Sequence, residues 1–178
     1  MKGIVFTEFL EMVEEKFTYE MVDDILTMKE LPSKGVYSAV GTYSHTEMVT
    51  LVVNLHEKTE VPLPVLLETF GEYLFHGLFK AYGSMFSDIE NAFDMLESIE
   101  GYIHVQVRKL YPEAELPHFK IERKGENKLV LDYSSERKMG DLALGLIKGC
   151  LNHFKEEAEV EMESLSDDGS KVRFIVSK

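Results

Sequence analysis

The chain has 178 residues, of which 44% are hydrophobic and 29% charged, with a formal net charge of −13. That length and apolar content suit one domain with a substantial core. The acidity argues against nucleic-acid binding, which needs a concentrated positive patch, and is compatible with solubility or with docking on a basic protein surface. No apolar run approaches the roughly eighteen residues of a membrane span. The N-terminus lacks the long apolar region and cleavage site of a secretory signal, so cytoplasmic residence is the expectation. Cys150 is the only cysteine, which excludes an intrachain disulfide and any multi-cysteine zinc or iron–sulfur site. It lies in the apolar stretch Leu142–Leu151 and reads as a buried structural thiol.

Phe6, Phe9, Leu10, Val13 and Phe17 recur at helical spacing and predict a first amphipathic helix, with a second from Tyr19 to Met28. Leu31-Pro32-Ser33-Lys34-Gly35 reads as a loop. Thr46 to Lys58 returns to helical spacing with Met48, Leu51, Val52 and Leu55 inward. Pro62 and Pro64 open a helix over Val65–Leu74, because proline fits the first turn. The aromatic segment Phe75–Phe86 is expected to be helical in part, loosened by Gly77 and Gly83. Phe93, Leu96, Ile99, Ile103, Val107 and Leu110 predict one further amphipathic helix from about Asn91 to Leu110. Beyond Pro112 and Pro117, Phe119–Arg123 and Leu129–Tyr133 read as strands joined by Gly125-Glu126-Asn127. Lys138 to Phe154 is a helix with Leu142, Leu146 and Leu151 inward, and Val160–Leu165 and Val172–Val176 form a closing hairpin. The class is therefore α+β, a single domain over residues 1–178. A helical N-terminal lobe (about residues 1–60) precedes a lobe (about 61–178) with a four-stranded antiparallel sheet and helices.

Two places carry chemistry. Tyr133-Ser134-Ser135-Glu136-Arg137 ends an apolar run. In extended backbone alternate residues share a face, so Tyr133, Ser135 and Arg137 are expected to project together. Two hydroxyls and a guanidinium suit a ligand with carboxylates, such as the two propionates of a haem. On its own so short a pattern usually marks a solvated strand edge. His104 flanks the apolar stripe of the Asn91–Leu110 helix, and Gly101 leaves open space about one turn before it. A planar cofactor could approach there with His104 as ligand to its iron. A lone histidine beside an apolar stripe is more often a satisfied core residue, and a lone Pro117 a stiffened loop.

Taken in order, Met1-Lys2-Gly3-Ile4-Val5, the helix with His104, Pro117, Tyr133 through Met139, Leu144-Gly145-Leu146-Ile147 and Phe154-Lys155-Glu156-Glu157 form one pattern. It resembles the H-NOX (haem–nitric oxide/oxygen binding) domain family, in the stand-alone bacterial type related to the sensor domain of soluble guanylate cyclase. The resemblance runs from Met1 to the last strand. It implies a haem b between the lobes, held non-covalently, which agrees with the absence of a Cys-x-x-Cys-His motif. It implies His104 as the sole axial protein ligand, with the sixth position open to a diatomic gas. Tyr133, Ser135 and Arg137 would anchor the propionates, and Pro117 would press on the porphyrin and distort it.

Oxygen-binding members of that family use a hydrogen-bonding network centred on a tyrosine, and the matching position here is Leu142. The two supporting positions are Phe9 and Leu74, neither of which can donate. The gas pocket expected from Val5, Phe9, Leu74, Leu78, Leu142 and Leu146 therefore withholds the donor that polarised dioxygen needs, which nitric oxide does not. The resulting expectation is a non-enzymatic sensor of nitric oxide. Its output would pass in trans to a histidine kinase or a diguanylate cyclase, in two-component or cyclic-di-GMP signalling, through weakening of the iron–His104 bond. The competing readings are an oxygen-binding module, if Tyr73 or His76 swings inward, and a haem-free protein-interaction domain. His76 is the rival ligand, in the apolar segment Leu74–Phe79. His45, His56, His118 and His153 are expected in polar surroundings.

Overall fold

Helix starts are set locally. Thr18, Ser44 and Asn91 lie in extended backbone, and each side chain accepts a hydrogen bond from an N–H two or three residues on. These N-caps satisfy donors that a helix end would otherwise leave bare. The computed structural model describes residues 1–178. Its elements are α1 (Gly3–Lys16), α2 (Tyr19–Thr27), α3 (His45–Thr59) and α4 (Leu63–Tyr82), then a 3₁₀ turn (Gly83–Phe86). There follow α5 (Ala92–Ser98), a π-helical turn (Ile99–Ile103), α6 (His104–Leu110), β1 (His118–Arg123) and β2 (Lys128–Ser134). The chain closes with α7 (Gly140–Phe154), β3 (Glu159–Ser164) and β4 (Lys171–Ser177). No helix is long and apolar enough to cross a membrane.

Three expectations change. The α4 helix does not stop at Leu74 but runs unbroken to Tyr82. Gly77 does not break it, and lies against the end of the flexible Glu8 side chain of α1. The helix predicted over Asn91–Leu110 is divided by the π turn, and Leu110, expected inward, is exposed. The α7 helix begins at Gly140 rather than Lys138, because Lys138 takes a left-handed backbone (φ 54°).

The sheet is antiparallel throughout, in the order β1-β2-β4-β3. Leu129, Leu131 and Tyr133 of β2 and Val172, Phe174 and Val176 of β4 are buried within one apolar cluster with Phe93 and Leu96 of α5 and Leu144 and Ile147 of α7. A second cluster gathers Phe6, Phe9, Met12 and Val13 of α1, Leu51 and Leu55 of α3, Phe70 and Leu74 of α4, and Leu142 of α7. The helices α4 and α7 feed both clusters, and Leu146 packs against each.

Those two helices meet backbone to backbone. A methyl group at Gly145 would strike the Glu68 carbonyl oxygen, and one at Gly71 would strike that of Leu142. An ion pair between Lys148 and Glu68 fastens the same crossing. Backbone cannot yield as a flexible side chain does, so a single added methyl overpacks it. We predict that Gly145→Ala destabilises by about 3 kcal/mol. Thermal denaturation should then show a melting point lower by roughly 6–12 °C; an unchanged melting point would mean that the crossing can absorb a methyl.

Candidate functional site

The site begins in the irregular turn between α5 and α6. There the His104 N–H bonds to the carbonyl of Ile99, five residues back rather than four. Such single π turns are rare and concentrate at functional positions. Gly101 and Tyr102 lie exposed on this turn, while His104 is only 8% exposed. Gly101 faces open space, where an added methyl group would meet no atom within 4 Å, as its sequence position suggested.

Glu100 holds the imidazole. Its Oε1 accepts the Phe119 backbone N–H at 3.0 Å and lies 3.3 Å from His104 Nδ1 and 3.1 Å from His118 Nδ1. Burial pushes the Glu100 carboxyl up, but the Phe119 N–H and His104 outweigh it, so its pKa falls below the ordinary value. An ionised carboxylate only accepts, so Nδ1 of His104 carries the proton and Nε2 keeps a lone pair. Burial lowers the pKa of His104, partly opposed by Glu100. A neutral imidazole with a directed lone pair is the form that binds a metal. Glu100 was not singled out from the sequence. The available signal was an acidic residue four positions before a histidine beside an apolar stripe.

Phe119 links His104 to the sheet. Its ring centroid is 6.1 Å from that of His104 and 5.5 Å from that of Tyr133, its partner across β1 and β2. Pro117 is half-buried two residues before it, at the entry to β1. Tyr133 is buried, and its hydroxyl accepts the Met139 N–H at 3.3 Å, leaving its own hydrogen free to donate.

The pleated alignment expected for Tyr133, Ser135 and Arg137 does not hold. The strand ends at Ser134, and the chain turns because Ser135 Oγ accepts the Arg137 N–H at 3.2 Å and Lys138 adopts a positive φ. Arg137 is half-buried and pairs with the exposed Glu115 at 3.0 Å. The Met1 ammonium belongs to the same charge cluster, its pKa lowered by burial and then by Arg137. Neither Glu115 nor the N-terminal amine was anticipated.

The six apolar residues expected to form a gas pocket do come together. Phe9, Leu74 and Leu142 are buried members of one cluster, and Val5, Leu78 and Leu146 pack against it. None offers a hydrogen-bond donor. Tyr73 packs against this cluster; burial, then the neighbouring Glu15 carboxylate, pushes its pKa up to about 12. His76 is exposed and lies 6.4 Å from His153, which removes it as a pocket-facing rival. His153 itself corrects the polar expectation: it sits 3.9 Å from the Phe79 ring, and burial lowers its pKa. Cys150 is buried and its thiol is pushed up to about 12, chiefly by burial.

No group of three or more His, Cys, Asp or Glu is placed to hold a bare metal ion. A metal at His104 would have to bring its other ligands with it, as a porphyrin does. The donor set therefore fits a haem: one neutral imidazole, an unspent tyrosine hydroxyl, a serine and an arginine. The family model for haem-NO-binding domains matches residues 2–162. The chain belongs to the haem-NO-binding, or H-NOX, family.

The solved structures agree. The chain is 46% identical to the H-NOX protein from K. algicida in its unliganded Fe(II) form, with a TM-score of 0.94 over 100% of this chain and 96% of that one. It is 39% identical to the H-NOX from Shewanella woodyi, an IWP-051-bound Fe(II)CO structure, with a TM-score of 0.85 over 100% and 94% of the two chains. An H-NOX protein from S. oneidensis in the Fe(II)NO state is 25% identical, with a TM-score of 0.92 over 99% and 98%. No curated protein matches the sequence. The H-NOX family comprises haem-binding gas-sensor domains, and the helices with a four-stranded antiparallel sheet are its fold.

A pH effect follows from the burial of His104. Its folded pKa lies below the ordinary 6.5, so the haem-free protein keeps this imidazole neutral where an unfolded chain has begun to charge it. The stability contribution is complete above pH 6.5 and is lost as the pH falls towards the folded pKa. Nitrogen chemical shifts of the imidazoles should show His104 titrating below 6.5, with Nδ1 protonated. A midpoint above 6.5 would contradict burial as the governing effect.

Proposed function

We propose that this H-NOX domain is a haem-based sensor of nitric oxide that passes its signal in trans. The observations that carry the reading are a buried neutral imidazole with a free Nε2, packed against Phe119, and six apolar residues gathered elsewhere in the fold, none of which offers a donor. When bound, a ferrous haem b would supply an iron able to take nitric oxide, and His104 would be the attachment that such uptake loosens. His104 is the axial protein ligand, and the haem is held non-covalently. Tyr133, Ser135 and Arg137 hold the propionates: Tyr133 has a hydrogen to donate, and Arg137 has a guanidinium now shared with Glu115. Pro117, whose ring fixes its backbone, would press on the cofactor and yield little to it.

The pocket residues Val5, Phe9, Leu74, Leu78, Leu142 and Leu146 exclude water and withhold a donor. That selects nitric oxide over oxygen, and the Fe(II)NO form of the S. oneidensis relative supports gas ligation of this kind. His104 and the Tyr133/Ser135/Arg137 set would attach the cofactor to different elements, one helical and the other the end of β2 with the turn that follows it. Loss of the His104 attachment frees the segment from Ile99 to Leu110 and lets the N-terminal lobe (about residues 1–60) shift against the remainder (about 61–178). This is a two-state element that the ligand biases through differential affinity. Inverting it from 1:99 to 99:1 requires about 5.5 kcal/mol of difference. The partner is a histidine kinase or diguanylate cyclase in the cytoplasm.

Absorption spectra of the reduced protein test the gas preference. One equivalent of nitric oxide should shift the haem band fully under anaerobic conditions, while air should give only slow oxidation. A long-lived spectrum of an oxygenated protein would overturn the donor-free pocket.

A further inference from the structure

We infer that Glu100 is the positioning residue for His104 and sets how readily its imidazole lets go of iron. The inference rests on the reading of His104 as axial ligand. A single oxygen, Glu100 Oε1, gathers three donors from two elements: His104 Nδ1, His118 Nδ1 and the Phe119 N–H. The Phe119 N–H belongs to β1, two residues beyond Pro117. Glu100 therefore ties the ring of His104 to the strand rather than to its own helix alone. The π turn makes this possible, since it spans Glu100 and delivers His104 at its end, buried.

Two consequences follow for the bond at Nε2. A carboxylate accepting from Nδ1 makes the imidazole a stronger donor at its other nitrogen and fixes its orientation. The same contact keeps the ring seated after Nε2 is freed, so it can return to the same place. At 3.3 Å the His104 contact is the longest of the three. The carboxylate is shared, and the exposed His118 competes for it.

The test uses the ferrous, gas-free holoprotein and the iron–histidine stretch seen by resonance Raman. Glu100→Gln keeps the shape and an acceptor but removes the charge, and should lower that frequency; Glu100→Ala should lower it further. Transfer of haem from Glu100→Ala to excess apomyoglobin should be faster by roughly 10- to 100-fold. His118→Ala, which relieves the competition, should raise the frequency or leave it. A wild-type frequency in both Glu100 variants would overturn the role of Glu100 while leaving His104 as ligand, and would reduce the carboxylate to a cap on Phe119. A downshift in His118→Ala matching that of Glu100→Gln would also overturn it, as general loosening of the cluster. The ligand reading fails separately: the stretch would be absent from the wild type, or would persist in His104→Gly without added imidazole.

Discussion

The crossing of α4 and α7 is the constraint on which the rest of the molecule depends. Gly71 and Gly145 let the two backbones touch, and neither position has room for a methyl group. From that contact each helix supplies side chains in two directions. Leu66, Phe70 and Leu74 of α4 and Leu142 of α7 enter the cluster built on α1 and α3. Phe75 of α4 and Leu144, Ile147, Cys150 and Leu151 of α7 enter the cluster under the sheet. Leu74, Leu78, Leu142 and Leu146 are thus held by the same contact that joins the two cores. Dense packing of this kind transmits displacement rather than absorbing it.

The His104 segment is built in the opposite way. Its seven-residue helix α6 buries no side chain except His104, and the preceding π turn buries none. Few buried apolar contacts mean a low free energy of local opening. The segment is tethered by a few contacts to the rest of the molecule: Glu100 to the Phe119 N–H, the Tyr102 hydroxyl donating to the Met85 carbonyl, and Ile99 and Ile103 against the core under the sheet. A rigid wall on one side and a lightly held segment on the other is the arrangement that lets loss of one bond move a small part without unfolding the whole. Phe9, Leu74 and Leu142 lie on the rigid side, and none of them carries a hydrogen-bond donor.

Much of this was legible in the residue pattern. The long helices and both hairpins declare themselves through regular apolar spacing, and the ordered set of His104, Pro117, Tyr133, Ser135 and Arg137 pointed to the family. The irregularities were not. One extra residue in the turn at Ile99–Ile103 shifts the apolar stripe too little to break its apparent period, so a single helix was expected over Asn91–Leu110. Strand alternation was carried past Ser134 because nothing in Glu136 or Lys138 announces a left-handed turn. Gly77 was read as a weakness, since its neighbour Glu8 is distant in sequence. Glu100 escaped notice for the same reason: two of its three donors, His118 and Phe119, arrive from β1.

Hydrogen exchange of the reduced protein, compared with and without saturating nitric oxide, tests most directly whether release of His104 is the switch. Faster exchange is predicted across residues 91–110 with nitric oxide bound, accompanied by a change in residues 1–20, while the cores of α4 and α7 stay protected. Equal protection of residues 91–110 and 1–20 in the two states, at full ligation, would contradict it.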